Sequence, residues 1–164
     1  MVIKNGLVFT EENTFLPLSV LTQGDNITSL VSDDTALPAS ENDELVIDAA
    51  GCYVIPGLTD VHFHGCDGYD FCDNSMEAVK AISAFSLKNG VTSICPATMT
   101  MSTETLDGIC RTAADFFSEQ VQKHMDTDFA DFVGIHMEGP FISREKKGAQ
   151  NEAYILSPDG ELVE

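Results

Sequence analysis

Apolar residues follow two different rhythms along this chain, and the change falls near residue 55. Before it, the runs Val2 to Phe9, Phe15 to Leu21, Asn26 to Val31 and Leu45 to Asp48 are rich in β-branched and aromatic residues. Polar turns such as Thr10-Glu-Glu-Asn-Thr14 separate them, which predicts a small β-sheet unit. The stretch from Ser32 to Glu44 is acidic, contains Pro38 and has no periodicity, so it reads as a loop.

After Pro56, strands and helices alternate. Leu58 to His64 reads as a strand. Met76, Val79, Ile82, Ala84, Phe85 and Leu87 are spaced as on a helix over Ser75 to Asn89, and Gly90 stands where a helix-ending glycine belongs. Val91 to Ala97 is a second buried strand. Ser102 or Thr103 caps a helix reaching about His124, with Glu104 in its first turn and Phe116, Phe117 and Val121 as its core stripe. Phe129 to Glu138 is the third strand. Strands separated by helices with short links predict parallel pairing and right-handed crossovers, an α/β fold.

The polar residues at the strand ends carry the chemistry. Side chains alternate along a strand, so Asp60, His62 and His64 share one face of the first, and His136 and Glu138 share one face of the third. Both groups lie at C-terminal strand ends, the rim on which α/β proteins build their sites. Two imidazoles and a carboxylate converging there make a donor set for zinc or another borderline divalent ion. The plainer alternatives are an ordinary histidine pair and a glutamate that ends its strand before Gly139-Pro140.

Composition narrows the field. The 164 residues suffice for an ordinary core, and 43% are hydrophobic. With 27 acidic against 8 basic residues, the formal charge of -19 repels nucleic acid and anionic membranes. No apolar run approaches the ~20 residues that span a bilayer, and the N-terminus lacks a signal-peptide pattern, so a cytoplasmic protein is expected. Five cysteines, an odd number without a Cys-x-x-Cys pair, predict reduced thiols. Cys66 and Cys72 could join a His/Cys zinc site, although buried inert thiols are commoner. Arg144, Lys146 and Lys147 could draw in a phosphate or simply form a solvated loop. Asp67-Gly-Tyr-Asp70 could shape the site or be a plain turn.

Asp48-Ala-Ala-Gly51 with Val54-Ile-Pro-Gly-Leu-Thr-Asp-Val-His-Phe-His64 resembles the entry to the barrel of the amidohydrolase superfamily. Gly134-Ile-His-Met-Glu-Gly-Pro-Phe-Ile142 paired with Lys146-Lys-Gly-Ala-Gln150 is similar to the N-acetylglucosamine-6-phosphate deacetylases. Gly90-Val-Thr-Ser-Ile-Cys-Pro-Ala-Thr98 fits that family's second strand. The resemblance implies a TIM-type (β/α) barrel, of which residues 55–164 form about three strand–helix units. Residues 1–54 would be an N-terminal β-sandwich portion. It implies hydrolysis of N-acetylglucosamine 6-phosphate to glucosamine 6-phosphate and acetate, with one or two divalent ions, zinc or iron. Glu138 would be the principal metal ligand, and His62 and His64 would hold a second ion. Ala149, through its backbone, and Gln150 would line the sugar pocket. His136 has no role in the family pattern; support of Glu138 from behind is the expectation.

The chain departs from that pattern at Gly160-Glu-Leu-Val-Glu164, far short of the roughly 250 residues of a full barrel. The general-base aspartate and two further histidine ligands have no counterpart and are expected beyond Glu164. A truncated chain of this kind is expected to be inactive, to expose an unpaired strand edge and to self-associate as a homo-oligomer. The competing expectations are another amidohydrolase, such as a cyclic-amide hydrolase, and a non-catalytic assembly module.

Overall fold

The computed structural model describes residues 1–24, 26–32, 45–123 and 128–162. The expected acidic loop at 33–44 and the helix end at His124 lie outside the described residues. The chain forms two compact units, Met1–Pro56 and Gly57–Glu164.

The first unit is one five-stranded sheet. β1 (Val2–Phe9) pairs antiparallel with β2 (Phe15–Gln23), and β2 pairs antiparallel with β3 (Asn26–Ser32). The short strands β4 (Val46–Asp48) and β5 (Tyr53–Val54) both run parallel to β1. Val2, Val8, Val20 and Ala49 are its buried apolar residues. Asn5 adopts a left-handed φ of 63° where the β1–β2 register shifts. Asparagine tolerates that conformation because its short amide can bond locally, and here it donates 2.8 Å to Asp48.

The second unit is built on three parallel strands in the order β10-β9-β6: β6 (Leu58–Asp60), β9 (Val91–Ile94) and β10 (Asp131–Phe132). A small antiparallel hairpin, β7 (Gly65–Cys66) with β8 (Tyr69–Asp70), precedes helix α1 (Met76–Lys88). Asp67 and Gly68 turn that hairpin with φ of 54° and 85°. Ser75 caps α1 by accepting from the Ala78 N–H at 3.1 Å, and Gly90 (φ 85°) closes it, as the pattern predicted. Helix α2 (Thr103–Lys123) starts on Ser102, whose hydroxyl accepts from the Thr105 N–H. Val79 and Ile82 of α1 and Ile109, Ala113 and Phe116 of α2 pack with Ile94 and Phe132 into one core under the strands. A Lys80–Glu119 ion pair at 3.0 Å ties the helices together on their outer side.

Three expectations need correction. The strands are shorter than the apolar runs: 58–64, 91–97 and 129–138 contain only two to four residues of regular ladder each. Past those residues the three segments still run side by side, through Cys95 N to Asp60 O, Ala97 N to Phe63 O, Thr98 N to His136 O and an isolated bridge between Ala97 and His136. Pro96 has no N–H to donate and interrupts the ladder there. Phe117 and Val121 are not core residues, with 50% and 59% of their surface exposed, whereas Phe116 is fully buried. Finally, no helix follows the third strand among the described residues, only 3₁₀ turns at Arg144–Lys146 and Glu152–Tyr154. No helix among the described residues is long and apolar enough to cross a membrane.

Candidate metal centre

His62, His64 and Glu138 meet just past the ends of the parallel strands. Their donor atoms all lie within 4.8 Å of one another. Glu138 Oε2 stands 3.1 Å from His62 Nε2 and 3.2 Å from His64 Nε2. Ligands on a tetrahedral ion with ~2.0–2.1 Å bonds are roughly 3.3 Å apart, and the two carboxylate–imidazole distances are close to that spacing. The rings are also oriented from behind. His64 Nδ1 lies 3.2 Å from the Ala97 carbonyl oxygen, an arrangement in which Nδ1–H donates and Nε2 keeps its lone pair for a metal.

Asp60 does not join the two histidines; its carboxylate turns back to accept the His62 backbone N–H at 3.1 Å. His136 does not support Glu138. Its Nδ1 sits 3.1 Å from the Val61 carbonyl oxygen, and its ring packs edge-on to His62 with centroids 4.4 Å apart. It therefore braces the first strand's histidine instead of the third strand's carboxylate.

Neither thiol belongs to the cluster. Cys66 Sγ faces the Ile82 carbonyl, Cys72 Sγ accepts from the Met99 N–H, and burial pushes both thiols up from their ordinary pKa. A protonated, engaged thiol is a poor zinc ligand. The basic cluster is largely tied up as well. Arg144 donates to the Glu152 and Ile155 carbonyls, and Lys147 donates to the Gln150 carbonyl. Lys146 is exposed.

The two residues expected at the sugar differ in setting: Ala149 is exposed, but Gln150 is only 4% exposed. The Gln150 amide oxygen accepts from the Thr100 N–H at 2.7 Å, and its amide nitrogen lies 3.6 Å from Met99 Sδ. The Gln150 amide, followed by the nearby His64 and His62, holds the Glu138 carboxyl below its ordinary pKa. Thr100 was not singled out from the sequence, yet its hydroxyl donates 3.0 Å to the Glu138 carbonyl oxygen. The alternating polar positions Thr98 and Thr100 were the available signal, of the same kind as His62 and His64. Thr98 Oγ1 is buried and has no hydrogen-bond partner among the described residues.

Parallel strands flanked by helices, with imidazoles and a carboxylate gathered at the strand ends, define an α/β protein with a candidate divalent-metal site. No family model matches the chain. In sequence it is 34% identical over 117 residues to the N-acetylglucosamine-6-phosphate deacetylase of Lysinibacillus sphaericus, covering 71% of this chain and 29% of that protein. It is 28% identical over 154 residues to that of Haemophilus influenzae, covering 92% of this chain and 37% of that protein. The crystal structure of the Pasteurella multocida N-acetylglucosamine-6-phosphate deacetylase matches 99% of this chain and 40% of its own, with a TM-score of 0.81 at 23% identity. A D-hydantoinase shares the fold less closely, at a TM-score of 0.55 over 88% of this chain and 28% of its own. The chain thus resembles an N-terminal portion of the N-acetylglucosamine-6-phosphate deacetylases, and it spans well under half the length of these relatives.

Proposed function

We propose that this chain is the N-terminal part of an N-acetylglucosamine-6-phosphate deacetylase, a hydrolase that cleaves the acetamide of N-acetylglucosamine 6-phosphate to glucosamine 6-phosphate and acetate. The observation that carries it is the meeting of Glu138 with His62 and His64, in a chain similar to proteins of that name in sequence and fold. In this reading residues 1–54 are a portion of a β-sandwich and residues 55–164 open a TIM-type barrel. A cytoplasmic homo-oligomer is the expected form of the intact enzyme.

Amides resist hydrolysis, and a divalent ion such as zinc or iron supplies a Lewis acid and lowers the pKa of bound water. The part this chain plays is to hold and orient. Glu138, kept ionised, supplies the negative ligand, and the two imidazoles supply neutral ones. The Ala97 carbonyl fixes the tautomer of His64. The exposed backbone at Ala149 is left to meet the sugar, while a general base must come from the remainder of the barrel. Arg144 and Lys147 donate to backbone carbonyls and Lys146 is exposed, so most of the phosphate grip is assigned to the remainder as well.

Two measurements test this reading. Zinc affinity of the chain, read by competition with a chromophoric chelator, is expected to fall by at least about tenfold in His62→Ala, His64→Ala and Glu138→Gln. Equal affinity in Glu138→Gln and the unsubstituted chain would remove the metal site. The full-length protein is expected to release acetate from N-acetylglucosamine 6-phosphate, and a folded, metal-loaded protein that releases none would overturn the substrate assignment.

A further inference from the structure

The carbonyls of Asp60 and Phe63 both accept from the middle segment, Asp60 from the Cys95 N–H and Phe63 from the Ala97 N–H. That is three steps along the first segment against two along the second, so the first carries an extra residue. An extra residue of this kind takes its own backbone out of the ladder and re-aims a side chain. Here the peptide unit between Val61 and His62 is the one set free. Its N–H is accepted by the Asp60 carboxylate at 3.1 Å, and among the described residues no backbone N–H reaches its carbonyl. His136 supplies the donor from the third segment, with Nδ1 at 3.1 Å from the Val61 oxygen.

A carbonyl oxygen can only accept, so this contact assigns the His136 proton to Nδ1. One planar peptide unit is thus held at both ends by side chains, and its plane fixes the direction in which the His62 side chain leaves the backbone. The His136 end is itself anchored. Its backbone N–H donates 2.9 Å to the Pro96 carbonyl, and its carbonyl accepts from the Thr98 N–H at 3.0 Å. A metal-binding imidazole ordinarily has such support behind it. His64 has the Ala97 carbonyl at Nδ1, whereas among the described residues no hydrogen bond reaches His62 Nδ1. The His136 ring stands against His62 instead, at an interplanar angle of 69°.

We propose that His136 is a positioning residue for His62: through Nδ1–H to the Val61 carbonyl it holds the peptide unit that aims the His62 imidazole at Glu138. This rests on the metal-site reading above and adds the device that presets one of its ligands. Holding a ligand in place before the ion arrives removes its ordering from the binding step. Because the His136 ring is exposed, its bond adds little to folding, and its effect falls on the site.

The test is zinc binding to the chain, to His136→Ala and to His136→Asn, with the melting temperature of each metal-free protein measured alongside. His136→Ala is expected to stay folded and bind zinc about 10–100-fold more weakly. His136→Asn keeps an N–H at the place of Nδ1–H and is expected to recover most of that loss. A purely structural role would lower the melting temperature and leave the affinity of the folded protein unchanged, and that result overturns the proposal. An asparagine variant as weak as the alanine one overturns it too. Should His136→Ala fail to fold, nitrogen NMR of the unsubstituted protein decides, at a mildly alkaline pH where imidazoles are neutral. His136 is expected to carry Nδ1–H and its signal to shift on adding zinc; an Nε2–H tautomer, or a signal that stays put, overturns it. An unsubstituted chain with no affinity for zinc would defeat the metal site itself. Normal zinc binding with an indifferent His136→Ala would defeat this inference alone.

Discussion

Gly139 is where the packing of the site can be tested by adding a single carbon. Its φ is 97°, outside the region open to residues with a Cβ, and a Cβ built there would stand 2.9 Å from Thr100 Cβ and overlap the Thr100 hydroxyl. The backbone strain of an L-residue at such a φ is about 1–2 kcal/mol. Crowding a packed neighbour adds about 1–3 kcal/mol. Gly139→Ala should therefore destabilise the second unit by roughly 2–5 kcal/mol, a drop of about 8–20 °C at roughly 4 °C per kcal/mol for a unit of this size. Thermal melts followed by circular dichroism measure it. Thr100→Gly in the same protein removes the overlapping atoms but not the φ strain, so a double-mutant cycle should show a favourable coupling of about 1–3 kcal/mol. A Gly139→Ala protein melting within about 2 °C of the original, or a coupling of zero, would refute the reasoning.

Phe116 and Phe117 are neighbours in sequence with opposite environments, so Phe116→Ala should cost about 3–5 kcal/mol and Phe117→Ala less than about 0.5 kcal/mol in urea unfolding. Equal costs would contradict the burial assigned to them. The Glu138 carboxyl lies below its ordinary pKa of 4.5 in the folded protein, so the unfolded chain binds that proton more readily. Its contribution is present above 4.5 and lost as pH falls through the depressed folded value. In chelator, the stability gap between the original and Glu138→Gln should close on acidification, and a gap unchanged between neutral pH and about pH 3 would contradict this.

Much of the local structure could be read from residue order, because its causes are local. Ser75 and Gly90 bracket α1 through hydrogen bonding and backbone freedom that depend on a few neighbouring residues. The β-branched runs before residue 55 became strands for the same reason. The polar residues His62, His64 and Glu138 at the ends of apolar runs were also visible in the sequence, and the structure brings these three side chains together.

What lay out of reach were the partners. Alternation placed Asp60 with the histidines and His136 with Glu138, yet Asp60 turns to its own backbone and His136 braces His62. Helical spacing put Phe117 and Val121 in the core, but among the described residues both are exposed. The hydrogen bond between Thr100 and Gln150 joins residues 50 positions apart, and nothing near either residue marks the other. Periodicity reports which face of an element a side chain occupies. Which face is covered, and which polar atoms find each other there, follows from packing between elements distant in sequence, and that exists only once the chain has folded.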